Sequence, residues 1–263
     1  MNLERFLQNK GAPRIVFCTG AGLSKESGIN TFRDAAEEGL WDQVDVDQVC
    51  NIANFNVNYH MIHDFFNKMR VGLQNYEPNI GHHMIAEIER MYGDENVIHI
   101  TANVDDLVER AGGTAMHVHG YLTEVVEPYS TNDQNYSVRD IGYTEHTPTP
   151  GVISKPNIVM FGDVFRFTDG VRKTVYGEMG EIIDNLTSKD VVVVIGSSDT
   201  VIPWSIYMGI GTPALVINVN PEPHDNDDLF DYNLYMPMSE AVNTVEAYLH
   251  EHMEVMSHNE EDY

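Results

Sequence analysis

An α/β fold, with a parallel sheet covered by helices on both faces, is predicted by three features of this sequence. Short β-branched apolar runs recur along the chain, stretches of helical apolar spacing lie between them, and glycines close several of the runs. The first run, residues 14–19 (RIVFCT), stops at Gly20-Ala21-Gly22, and its length and branched side chains suit a buried strand. Runs of the same kind follow at 96–101 (NVIHIT), 157–161 (NIVMF), 190–195 (DVVVVI) and 214–219 (ALVINV). Between them, residues 58–73 set Met61, Ile62, Phe65, Phe66, Met69 and Leu73 at helical spacing, and residues 81–91 do the same with Met84, Ile85, Ile88 and Met91. Residues 105–111 read as a short helix stopped by Gly112-Gly113. Residues 122–156 are different: polar, with Thr147-Pro148-Thr149-Pro150 and no clear helix, they read as an inserted subdomain. The tail 257–263 (SHNEEDY) is acidic and expected to fray.

Composition narrows the function. Fifteen Lys and Arg against 41 Asp and Glu give a formal net charge of −26, which opposes nucleic-acid binding and docking on an anionic membrane. An acidic surface of this kind steers Lys-rich partners, or serves only solubility or a salty cell. With 42% hydrophobic residues the chain has material for a core. It has no apolar run of membrane-spanning length, and its first residues lack the pattern of a signal peptide. The two cysteines, Cys18 and Cys50, build neither a disulfide framework nor a four-cysteine zinc site, so a reducing, cytoplasmic setting is expected.

Residues 15–28 (IVFCTGAGLSKESG) run from a strand through Gly20-Ala21-Gly22 toward a helix, an arrangement whose free N–H groups can bind phosphate. The spacing departs from G-x-G-x-x-G, since Lys25 stands at the third position, so a tight turn without a ligand stays open on this motif alone.

The continuation resembles the sirtuins, NAD-dependent protein-lysine deacylases. Gly20, Ala21, Gly22, Leu23, Ser24, Ser27, Gly28, Ile29, Phe32, Arg33, Gly39, Leu40 and Trp41 stand where that family has its first motif. In the family's order follow Thr101-Ala102-Asn103-Val104-Asp105 with Ala111-Gly112, His117-Val118-His119-Gly120 and Ile158-Val159-Met160-Phe161-Gly162-Asp163. Gly196-Ser197-Ser198 with Val201 and Pro203, and Val219-Asn220-Pro221-Glu222, complete the series, which covers roughly residues 14–240. The resemblance implies a Rossmann-like domain (1–121 and 157–256) and a smaller inserted subdomain (122–156), with residues 40–80 a candidate helical module. It also implies NAD as cofactor and an acyl-lysine protein or peptide as partner, the acyl group passing to ADP-ribose as nicotinamide leaves. It says nothing of oligomeric state.

Residue by residue, the resemblance makes His119 the general base for a ribose hydroxyl, a task suited to an imidazole. His117, two positions earlier on a strand, is expected to be structural. Asn103 would contact the ribose or an ordered water and Asp105 the nicotinamide carboxamide, although both also suit a helix N-cap. Gly20, Ala21 and Gly22 would cradle the pyrophosphate. Arg33 would lie beside the cofactor, or form a surface ion pair, and Phe32 would shield the reactive ribose carbon, or fill core. Gly196, Ser197 and Ser198 would meet phosphates and ribose, and Asn220 the adenosine ribose. Val159, Met160, Phe161 and Gly162 would line the acyl-lysine tunnel and pair with the substrate backbone, a role compatible with an ordinary buried strand. Phe66 and Met69 would wall that tunnel, or pack as helix core.

The chain also leaves the family pattern. No cysteine lies between His119 and Phe161, so the family's zinc site has no ligands, no metal is expected, and a substitute would have to come from His146, Glu145 or Asp133. Ala102 replaces the usual Gln, and Asn30-Thr31 replaces Pro-Asp. Where desuccinylating members carry Tyr-x-x-Arg, this chain has Phe66-Asn67-Lys68-Met69 with Arg70 next, which favours a neutral acyl group such as acetyl. The alternative activity is an NAD hydrolase or ADP-ribosyltransferase using the same cleft; a module that merely binds would not need the base.

Overall fold

The 14–19 run folds as β1 (Ile15–Thr19), all five residues buried. The computed structural model describes residues 2–29, 46–129, 137–163, 167–168 and 173–258. β2 (Val97–Thr101), β3 (Met116–His117), β4 (Gly120–Val126), β5 (Val138–Asp140), β6 (Lys155–Ile158), β7 (Phe167–Thr168), β8 (Lys173–Thr174), β9 (Val191–Ile195), β10 (Leu215–Val219) and β11 (Tyr232–Leu234) follow in the chain. Six of them form a sheet of order β11-β10-β9-β1-β2-β3, every pairing parallel.

Burial on both faces explains why these strands read as unbroken apolar runs. Val16, Cys18, Val192 and Val194 point into one core with Phe6, Met179, Ile182 and Trp204. Ile15, Phe17, Val191 and Val193 point into the other, against the helices Ile80–Tyr92 and Met238–His258. The 81–91 periodicity thus marks a real helix, whose start is fixed by Asn79 accepting from the Gly81 and His82 amides while His82 accepts from the Asn79 amide. Beneath the sheet, Arg14 and Asp190 are fully buried together, paired at 2.7 Å and 3.0 Å through two guanidinium nitrogens.

A second sheet, β5-β4-β6, is antiparallel and packs against the helix Tyr59–Leu73 to make a third core with Phe55, Phe66, Leu122, Val126, Ile158 and Met160. The run at 157–161 corrects the expectation of another parallel strand. Its first residues extend back through Pro156 to Lys155 and pair with β4, while Val159 and Phe161 bond to other segments. A short apolar run has the same local pattern in either kind of sheet.

The helix expected at 105–111 is a single turn, Leu107–Arg110, because Asp105 takes the Leu107 amide on its Oδ1. The tail differs too: Ser257 and His258 still belong to the Met238–His258 helix. Among the described residues, no helix is long and apolar enough to cross a membrane.

Candidate active site

The expected catalytic and cofactor-binding residues that the structure describes gather at the carboxyl ends of the parallel strands. Gly20 follows β1, residues 102–105 follow β2, His119 lies two residues beyond β3, Gly196 follows β9 and Asn220 follows β10. The chain winds from β1 toward β2 and β3, then returns to the other side of β1 with β9, so the gap between the β1 and β9 ends is the topological switch point. Ligands in open α/β sheets bind at that place.

The glycines there bring two loops together rather than cradle a ligand with every amide. A Cβ on Gly20 or Gly22 would come within 2.8 or 2.6 Å of Gly196 atoms, and one on Gly196 within 2.4 Å of the Leu23 nitrogen, with Gly196 at φ +61°. Gly20 donates to Ile195 O and Gly22 to Gly196 O, at 2.9 and 2.8 Å. Of the three residues expected to offer N–H groups, two therefore use them within the protein. Ser197 is buried and accepts from the Asp199 amide, whereas Ser198 is exposed.

A polar chain runs under the cleft. Thr19 Oγ1 donates to Thr101 Oγ1 at 2.8 Å and lies 2.7 Å from His99 Nε2, and Thr101 Oγ1 also accepts from the Asn103 amide. The Asn103 side chain donates to Gly20 O and to Ser24 Oγ, which in turn donates to Asp105 Oδ2 at 2.8 Å. Burial raises the Asp105 carboxyl pKa, and the bonds from Ser24 and the Leu107 amide pull it back down. Asp105 thus serves the helix start through Oδ1 while Oδ2 is held by Ser24.

His119 is tied at both ring nitrogens. Nδ1 lies 3.0 Å from Ala102 O, which fixes the proton there and leaves Nε2 as the acceptor, 3.0 Å from the Tyr176 hydroxyl. Burial lowers the His119 pKa below the ordinary histidine value, against the Ala102 carbonyl bond, which raises it. A neutral imidazole with its lone pair on Nε2 is equipped to take a proton from a hydroxyl. His117 is a structural residue, held by Asn103 O at 2.8 Å and Glu109 at 3.1 Å.

Across the switch point, Asn220 donates to Glu222 O and to His224 Nε2, leaving its oxygen to accept from a ligand. On the substrate side, Val159 donates to His119 O, and Phe161 exchanges two main-chain bonds with Cys50 and Ile52. That face of Phe161 is thus occupied by the protein's own chain, although its side chain is 55% exposed. Phe66 is buried in the third core and Met69 is partly buried against it, so Phe66 packs as helix core. Arg70 is buried and bonded to Leu122 O and Asn67, its pKa pushed down to about 10 by burial, while Lys68 faces solvent. Phe32 and Arg33 lie outside the described residues.

Tyr176 and His224 escaped the sequence reading. Nothing local marks Tyr176 as a neighbour of a residue 57 positions earlier, whereas His224 lies only four residues beyond Asn220. Among the described residues, no three His, Cys, Asp or Glu side chains are grouped to hold a metal; His146 bonds instead to Ser154 at 2.8 Å, and Glu145 is exposed.

The model of the Sir2 family matches residues 20–203. An NAD-dependent protein deacylase of Helicobacter hepaticus is 34% identical over 264 residues, covering 90% of this chain and 97% of that one. One of Pasteurella multocida is 35% identical over 238 residues, covering 87% and 94%. Among solved structures, a mutant Sir2 homologue in complex with ADP-ribose superposes with a TM-score of 0.72 at 25% identity, covering 97% of both chains.

Proposed function

This chain belongs to the Sir2 family, and from that premise we propose how its cleft works, residue by residue. The protein is an NAD-dependent protein deacylase with a Rossmann-like fold and a smaller subdomain. NAD supplies, when bound, a ribose carbon from which nicotinamide departs and to which an acyl oxygen adds.

The chain's own residues then have these tasks. His119 accepts the ribose hydroxyl proton at Nε2, and Ala102 O keeps the other ring proton on Nδ1. Asn103 and Asp105, braced by Ser24, hold the ribose side and the nicotinamide carboxamide. Gly20, Ala21, Gly22, Gly196, Ser197 and Ser198 flank the phosphates, and Asn220 accepts from the adenosine ribose. By resemblance alone, Arg33 offsets phosphate charge and Phe32 covers the ribose carbon. Val159, Met160 and Gly162 guide the acyl-lysine, with Phe161 offering its exposed ring and Met69 an apolar wall; Phe66 acts only through packing. Met69, standing at the position of the acid-pairing arginine, supports a neutral acyl group such as acetyl.

The observation that carries this reading is the 3.0 Å contact between His119 Nδ1 and Ala102 O beyond the ends of β2 and β3, which leaves Nε2 as the acceptor. We place the small unit at 122–156, enlarged by the last two residues of β6 to 158, and the cofactor domain at 1–121 and at the remainder of 157–256. The small unit is held without zinc where Ser154 Oγ meets His146 and, on the helix Tyr59–Leu73, the half-buried Tyr59 and buried His63. A cytoplasmic setting agrees with Cys18 and Cys50, free buried thiols in separate cores.

Incubation with NAD, with and without an acetyl-lysine peptide, tests the reading by product mass. Acetyl-ADP-ribose, nicotinamide and free-lysine peptide are expected only when both are present. Nicotinamide released at full rate without peptide would favour an NAD hydrolase or ADP-ribosyltransferase.

A further inference from the structure

The segment that would meet the acyl-lysine substrate is closed on itself by a buried ion pair. Lys155, the first residue of β6, lies 2.8 Å through Nζ from Asp163 Oδ2, and the two side chains are 0% and 1% exposed. The same ammonium donates to Ile158 O and to Pro156 O, and stands over the Tyr129 ring. Between the partners the chain makes a turn, Asp163 donating to Met160 O at 2.9 Å with Gly162 at φ +73°, the conformation that a glycine at the third turn position supplies. The centre of the segment is tied to the candidate base directly, because the Val159 amide donates to the carbonyl of His119 itself.

A buried ion pair adds little to stability compared with apolar residues of the same shape, and losing one partner alone is costly. Its position therefore matters more than its energy. Here it fixes both ends of residues 155–163, which open to solvent at Phe161 and Gly162, just before Asp163. We propose that Lys155 and Asp163 are positioning residues that hold residues 159–162 in register with His119 for the incoming acyl-lysine peptide. The role rests on the deacylase reading of the cleft; neither residue touches the cofactor side.

The test is the double variant Lys155→Met/Asp163→Leu, which removes both charges so that neither is stranded. Two quantities are read in the full chain: KM for an acetyl-lysine peptide, and hydrogen exchange of the Val159, Phe161 and Asp163 amides. At least a tenfold rise in peptide KM is expected, with kcat and the KM for NAD within twofold of wild type, and exchange at the three amides at least tenfold faster. Asp163→Glu, which keeps the pair, is expected to stay within threefold of wild type in both. Should the double variant fail to fold, Asp163→Asn takes its place, with the same directions and at least threefold effects. Unchanged exchange at 159–163, or a loss falling on kcat and NAD alike, would overturn the proposal. A wild-type chain without peptide turnover would defeat the deacylase reading instead, and the exchange measurement would still decide the positioning role.

Discussion

The imidazole of His119 is held by the main chain of Ala102, its Nδ1 3.0 Å from that carbonyl oxygen. Side-chain replacement at 102 leaves this bond intact, which is how the chain keeps an oriented base where its family usually has Gln. Replacing His119 by Asn is expected to lower kcat/KM by about 10²–10⁴, the range a positioned base contributes, with thermal melting close to wild type. Steady-state kinetics with an acetyl-lysine peptide measures it, and a variant within threefold of wild type would remove His119 from the role.

The pH profile follows from the direction of the same residue's shift. Burial lowers the His119 pKa and only the neutral form can accept a proton, so kcat/KM should be flat above the ordinary histidine range. It should fall with unit slope at acid pH, with an apparent midpoint below about 6.5. A midpoint above that value would contradict the burial argument.

Ser24 links Asn103 to Asp105, accepting from one and donating to the other. In Ser24→Ala both amide and carboxylate lose a buried partner, at about 1–3 kcal/mol. Weaker NAD binding, by roughly tenfold, and a smaller change in peptide KM are expected by calorimetry and kinetics.

Gly196 stands at φ +61° with the Leu23 nitrogen 2.4 Å from where its Cβ would sit. Gly196→Ala must push the β1 and β9 loops apart or abandon the turn, so a loss of stability of about 2 kcal/mol or more is expected. Melting temperature and NAD affinity should fall together.

Acid should loosen the helices beside the cleft. His63 and His82 are buried, each with a pKa lowered to about 4, chiefly by desolvation. The unfolded chain takes up those protons near pH 6.5 and the folded chain does not, so stability is present above that pH and is lost as pH falls toward 4. Each histidine accounts for up to about 3 kcal/mol over that window. Chemical denaturation at pH 7.5 and 5 measures the difference, and His63→Gln should reduce it.

The sheet was legible because strands buried on both faces leave unbroken apolar runs, and the placement of the first motif, of residues 102–105 and of Gly196 at strand ends because each follows such a run. What was not legible depends on distant contacts. The engagement of the Gly20 and Gly22 amides requires knowing that Gly196 sits against them, and β6 joins the small sheet through Lys155 and Pro156, which precede the apolar run 157–161. Tyr176 and the Lys155–Asp163 pair carry no periodicity of their own. At Phe66 the two readings, tunnel wall and helix core, share one local pattern, and the structure shows it buried in the third core.

A crystal structure with NAD and an acetyl-lysine peptide tests the central claim most directly. The dinucleotide should lie across the ends of β1, β9 and β10, with His119 Nε2 released from Tyr176 and within hydrogen-bond distance of a ribose hydroxyl. A cofactor seated away from the β1–β9 gap, or an imidazole turned from the ribose, would contradict it.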